Sequence, residues 1–158
     1  MSSLAKEIKK RHPFEYPEEE AYLNLWRTFT QIFQATEEHL KVYNLCATHY
    51  NILRILAGEK LHTGEGLPVL EVRDRLITRV PDITRLTDKL VNMGLIKRTR
   101  TSTDRRLVLL TLTPKGEKLT ADLHGPAIAA CKEQLGHLTR EELQTLSRLL
   151  EKARAPTE

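Results

Sequence analysis

The hydrophobic period of this chain changes at Gly94, and that change limits what it can become. Before Gly94, apolar residues recur every three or four positions between Gly and Pro breakers. After it, Leu95-Ile96-Lys97-Arg98-Thr99-Arg100 and Arg106-Leu107-Val108-Leu109-Leu110-Thr111-Leu112 are β-prone runs, joined by the polar stretch Thr101-Ser102-Thr103-Asp104. Helical spacing returns at Thr113-Pro114. The pattern predicts a mainly α chain carrying one small β-hairpin.

Glu18 to about Lys41 carries Tyr22, Leu25, Trp26, Phe29, Ile32, Phe33 and Leu40 at helical spacing, with no Gly or Pro inside. Glu18, Glu19 and Glu20 suit the positive end of a helix dipole. A second helix is expected over Asn44 to Ala57, stopped by Gly58, with a loop around His62 to Leu67. Pro68 opens a short third helix through Leu76 or Ile77. After the connector Thr78 to Val80, a fourth helix runs from Pro81 to about Met93, and Gly94 stops it. The helix begun at Thr113-Pro114 passes Gly116 and should kink or break at His124-Gly125-Pro126. Thr139 and Glu142 form a capping box for a last helix bearing Leu143, Leu146, Leu149 and Leu150. Residues 1–17, with Lys6, Lys9, Lys10, Arg11, Pro13 and Pro17, are expected to be a flexible N-terminal arm.

Charge is unevenly spread. The net charge is +4 over 158 residues, yet Glu71 to Arg106 holds ten Lys/Arg against five Asp/Glu. Arg98, Arg100, Arg105 and Arg106 crowd into nine residues of the hairpin. Such like-charge density destabilises a merely structural hairpin. A phosphate backbone would neutralise it. Two short helices, a tight turn and a basic hairpin describe a winged helix-turn-helix, which lays its second helix in the DNA major groove.

In that reading Ile83, Leu86 and Leu90 face inward. Asp82, Arg85, Asp88, Lys89 and Asn92 face outward, with Thr84 and Thr87 at the boundary. Recognition helices read bases mainly from their N-terminal half, which selects Pro81, Asp82, Thr84 and Arg85. Arg85 has the fork geometry for a bidentate contact to guanine; the competing reading is a surface ion pair with Asp88. Lys89, Arg98, Arg100, Asp104, Arg105 and Arg106 complete the expected DNA-binding set.

The run Ile83-Thr84-Arg85-Leu86-Thr87-Asp88-Lys89-Leu90, then Met93-Gly94-Leu95-Ile96-Lys97-Arg98, then Asp104-Arg105-Arg106 through Leu112-Thr113-Pro114-Lys115-Gly116 resembles the MarR family of bacterial transcription factors. The resemblance covers roughly residues 20 to 152, and outside those runs it rests on helix order and apolar pattern. It implies a winged helix-turn-helix DNA-binding domain over residues 44–113, with dimerisation helices over 18–43 and 114–154. It further implies a homodimer on a pseudo-palindromic operator, acting as a ligand-responsive repressor. Arg106 would enter the minor groove with Asp104 orienting it. Trp26, Phe29 and Phe33 would line an effector pocket, against the competing reading of an aromatic stripe as core. The apolar faces of the long first helix and the terminal helices agree with a second copy, being larger than a small wing can cover. The alternative is a winged-helix protein-interaction module docking an acidic partner without specific DNA binding.

Other chemistry finds little footing. Cys46 and Cys131 fit neither a disulfide scaffold nor a metal cluster. Cys46, near a helix start where a thiol is acidified, is read as a small half-buried residue rather than a redox sensor, and Cys131 as core filling. His12, His39, His49, His62, His124 and His137 lack ligand spacing, so no metal or other cofactor is expected. There is no Gly-rich phosphate loop and no G-x-S-x-G, which argues against an enzyme. No apolar run approaches the roughly 20 residues of a membrane span, and no apolar stretch follows the basic N-terminus. A cytoplasmic protein is expected.

Overall fold

A computed structural model describes residues 2–100 and 108–155. Contacts divide the chain into two units, Met1–Ala47 and Thr48–Glu158.

The first unit is built on α2 (Pro17–Lys41), a helix of 25 residues with Pro at its first turn and three glutamates behind it. The segment expected to be a flexible arm contains a helix, α1 (Ser3–Glu7), in which Leu4 and Ala5 are buried. Local contacts hold this helix. Ser2 Oγ accepts from the Ala5 N–H and so caps α1, Arg27 Nε lies 2.8 Å from Glu7 Oε2, and Lys10 Nζ sits 4.9 Å from the centre of the Phe14 ring. At the far end of α2, Asn44 adopts φ 56° and lets the chain turn back, with Leu45 N–H donating to Leu40 O at 3.2 Å.

In the second unit α3 (Ala47–Thr63) runs through Gly58. A helix-interior Gly costs only about 1 kcal/mol relative to Ala, and Gly58 is followed by the helix formers Glu59, Lys60 and Leu61. The stop is Gly64 at φ +75°, whose N–H donates to Lys60 O. Next comes β1 (Leu67–Pro68), a strand too short to show as alternation. It turns the expected hairpin into a three-stranded antiparallel sheet of order β1-β3-β2, with β2 Ile96–Arg100 and β3 Val108–Leu112. Pro68 is tolerated because β1 is an edge strand. Between β1 and β2 lie α4 (Val69–Asp74) and α5 (Ile83–Asn92), the helix-turn-helix pair, and Gly94 at φ +68° ends the second of them as expected.

The core gathers Ile52, Leu53 and Leu56 of α3, Val72 of α4, Leu90 of α5, and Leu95, Ile96, Leu110 and Leu123. The helix α6 (Pro114–Leu135) passes unbroken through Pro126, so the interruption expected at His124-Gly125-Pro126 is absent. One missing N–H donor did not end the helix, since the following Ala127-Ile128-Ala129-Ala130 is helix-forming and Pro fixes φ near the helical value. The fold is a winged helix-turn-helix, mainly α. Among the described residues no helix is long and apolar enough to cross a membrane.

The last helix, α7 (Arg140–Arg154), starts at the predicted capping box: the Thr139 N–H and hydroxyl both donate to Glu142 Oε2, at 2.8 and 3.0 Å. The backbone bond first, and the hydroxyl second, hold the Glu142 carboxyl below its ordinary value of 4.5. A carboxylate lowered on folding stabilises the fold above the ordinary value and loses that contribution as pH falls through the lowered one. An NMR titration is expected to place the Glu142 midpoint below 4.5, with Thr139→Ala moving it part of the way back. An unshifted midpoint in the parent protein would contradict the box.

Candidate nucleic-acid interface

The helix α5 starts where Asp82 accepts the Arg85 N–H at 3.0 Å, an N-cap that fixes the direction of its first turn. Asp82 is thereby assigned a structural task. Thr84 and Arg85 are exposed on that first turn, and Pro81 is exposed just before the cap. The buried face of α5 is Ile83, Thr87 and Leu90. Leu86 is only half-buried, and Thr87, expected at the boundary, has no exposure at all. The Thr87 hydroxyl lies 3.1 Å from Ile83 O and 3.0 Å from Thr84 O, so its hydrogen is used within the helix.

Asp88 does not pair with Arg85. Its carboxylate meets Arg98 Nη1 of β2 at 2.5 Å, while Arg98 Nη2 reaches the Thr87 hydroxyl at 2.7 Å. Among the described residues nothing pairs with the Arg85 guanidinium, which leaves it open to a ligand. Arg79, in the turn before α5, and Arg100, at the end of β2, are exposed in the same way. In the sequence Arg79 is one basic charge among ten; its position in the helix-turn-helix turn makes it a candidate. Asp104, Arg105 and Arg106 lie outside the described residues.

The helix before the turn is held by ions. Arg75 Nη1 lies 2.8 Å from Glu59 Oε2 and its other terminal nitrogen meets Glu71. The Arg75 hydrogen bond, seconded by Thr63, holds the Glu59 carboxyl below its ordinary value, and Glu59 in turn holds the Arg75 proton more firmly. Asn51 Oδ1 accepts the Ile77 N–H at 3.0 Å, fastening the turn to α3. The Glu71 and Arg75 spacing of four was legible in the sequence as a helical pair. The partner Glu59, on another helix, was not.

The three aromatic residues expected to line an effector pocket, Trp26, Phe29 and Phe33, all stand on α2. Trp26 lines an open groove of about 570 Å³ beside Leu4, Ile8 and Leu23. Phe29 and Phe33 lie outside that lining and stack on each other at 5.3 Å between ring centres. All three are exposed, Trp26 by 60%, so within one chain this stripe is not core. A second groove of about 580 Å³, with more apolar walls, separates α3 from α6. Its rim carries Arg54 against His124 Nδ1 and Lys60 against Glu117. Cys46 is half-buried as expected, whereas Cys131 is exposed rather than core filling. Among the described residues no three His, Cys, Asp or Glu side chains gather as metal ligands.

Comparison with known proteins agrees with this geometry. Residues 34–123 match the family model described as transcriptional regulator SarA/Rot. The uncharacterized HTH-type transcriptional regulator YpoP of Bacillus subtilis is 33% identical over 130 residues, covering 81% of this chain and 86% of that one. The crystal structure of a MarR transcription factor from Planctomyces limnophilus is 42% identical, with a TM-score of 0.66 over 88% of this chain and 98% of that one. A mutant MarR from Escherichia coli complexed with operator DNA shares the fold at a TM-score of 0.72 and 22% identity, covering 98% of this chain and 100% of that one.

Proposed function

Because this chain belongs to the MarR family of DNA-binding transcriptional regulators, we propose that it binds a pseudo-palindromic operator as a homodimer and represses transcription until a small ligand releases it. The observation that carries the DNA reading is Arg85: exposed, on the first turn of the recognition helix, and without a partner among the described residues. Thr84 and Pro81 flank it as base-edge contacts. Arg79, Lys89, Arg100 and Arg105 supply phosphate contacts. Arg106 enters the minor groove, oriented by Asp104.

The homodimer is supported by apolar surface left over. The helix α2 buries only Leu40 and exposes Tyr22, Leu25, Trp26, Phe29 and Phe33, while α7 buries nothing and exposes Leu146 and Leu149. Clustered exposed apolar side chains on a helix mark an interaction surface. A two-fold pair presents its recognition helices about 34 Å apart, one turn of DNA. Both grooves are of a volume that takes a small effector. We assign no catalytic step, and place the action on DNA in the cytoplasm.

The test is fluorescence anisotropy on the DNA upstream of the protein's own gene and on a scrambled duplex of equal length. A complex of two protomers that prefers the first duplex is expected, with log K falling by roughly 0.9 per phosphate contact for each log unit of salt. No preference between the duplexes, or binding indifferent to salt, would overturn the reading. An acidic protein partner would give no such preference.

A further inference from the structure

Arg98 stands in the most basic stretch of the chain, and its charge alone would make it a phosphate contact. Its place in the strand argues otherwise. Side chains alternate along a strand, so Arg98 shares a face with Ile96, which is buried. In the β2–β3 register Ile96 lies opposite Leu112 and Arg98 opposite Leu110, and both of those leucines are buried. The Arg98 stem therefore lies along the packed face of the sheet, as long cationic side chains do, and its head reaches α5.

There the guanidinium fork meets two acceptors. One is the Asp88 carboxylate; the other is the hydroxyl of fully buried Thr87, whose own proton is committed to the helix. Beyond Ile96, residues 97–100 of β2 are all exposed and supply no buried apolar anchor. Asp88 also sits three residues from Arg85 on α5, the spacing at which opposite charges on a helix pair.

Resting on the DNA-binding reading above, we infer that Arg98 is a positioning residue: it locks the base of the hairpin to the recognition helix and holds Asp88 away from Arg85. With Arg98 in place Arg85 remains open to DNA. Without it, the Asp88 carboxylate turns to Arg85 and adds a negative charge near the phosphates.

Operator binding of Arg98→Ala, Asp88→Asn and the double variant tests this at 10 °C, where each is checked to be folded by circular dichroism. Arg98→Ala is expected to weaken binding roughly tenfold, as partners in one hydrogen-bonded network do. Its salt slope should equal the parent's, because no phosphate contact is lost. Asp88→Asn should bind within about twofold of the parent, and the double variant should bind tighter than Arg98→Ala. A slope reduced by about 0.9 with additive losses would make Arg98 a phosphate contact and overturn the inference. Unchanged affinity with only a lowered melting temperature would reduce the bridge to a structural one, and overturn it too.

A DNA-free arm separates this from failure of the DNA reading. In amide NMR spectra, Arg98→Ala should shift both Thr87 on α5 and Thr99 on β2, and Asp88→Asn the same pair. Unmoved α5 resonances in Arg98→Ala would overturn the inference, whereas failure of the parent to prefer its operator would overturn only the function it serves.

Discussion

Gly116→Ala is expected to lower the melting temperature by about 10 °C. A Cβ built on Gly116 falls 1.9 Å from Leu95 O and 2.9 Å from Leu95 C, and both atoms are backbone that no side-chain rotation removes. The start of α6 would have to withdraw from the strand entry. That movement breaks the seam where Thr113 N–H donates to Leu95 O at 3.0 Å and the Thr113 hydroxyl to Gly94 O at 2.7 Å. Overpacking costs about 1–3 kcal/mol and each lost hydrogen bond about 1 kcal/mol more. At about 2–4 °C per kcal/mol for a chain of this length, the sum reaches the stated fall. Gly58→Ala is the control: its Cβ meets nothing within 4 Å inside α3. It should hold or slightly raise the melting temperature, since Ala loses less chain entropy in a helix. A thermal melt showing Gly116→Ala within about 2 °C of the parent would remove the close approach from the account.

Arg85→Ala is expected to weaken operator binding by about 1–3 kcal/mol, roughly 5- to 150-fold, and to relax sequence preference at one position of each half-site. The side chain has the planar fork that reads guanine O6 and N7 together, and nothing described competes for it. Arg85→Lys keeps the charge and loses the fork, so it should recover salt-dependent affinity more than base discrimination. Binding to the scrambled duplex should change little in either variant. Equal losses on operator and scrambled DNA would demote Arg85 to a phosphate contact.

Much of this molecule was legible in the chain. The period change at Gly94, the capping box at Thr139 and the aromatic helix 17–41 are local patterns, and each is realised where the spacing places it. The errors share a cause. Gly58 and Pro126 carry a stop and a kink-or-break signal, yet α3 and α6 continue through them because the residues that follow propagate the helix. Two residues of β1 have no alternation to read; they become a strand only because β3 lies alongside, with Leu67 opposite Leu110. Leu4 and Ala5 sit in a polar, basic stretch, and their burial depends on a neighbouring surface that local pattern cannot supply.

The candidate interface divides along the same line. Residue types and their order determined the helix-turn-helix, its basic hairpin and the first-turn positions of the recognition helix, because periodicity and capping act over a few residues. Which cations remain open to DNA was decided only in the folded chain. Asp88 is near both Arg85 and, across the fold, Arg98, and the strand register awards it to Arg98. An ion pair forms with whichever partner the packing brings within reach at least cost in side-chain freedom, and the packed face of β2 carries Arg98 to Asp88 while Arg85 remains on the exposed first turn.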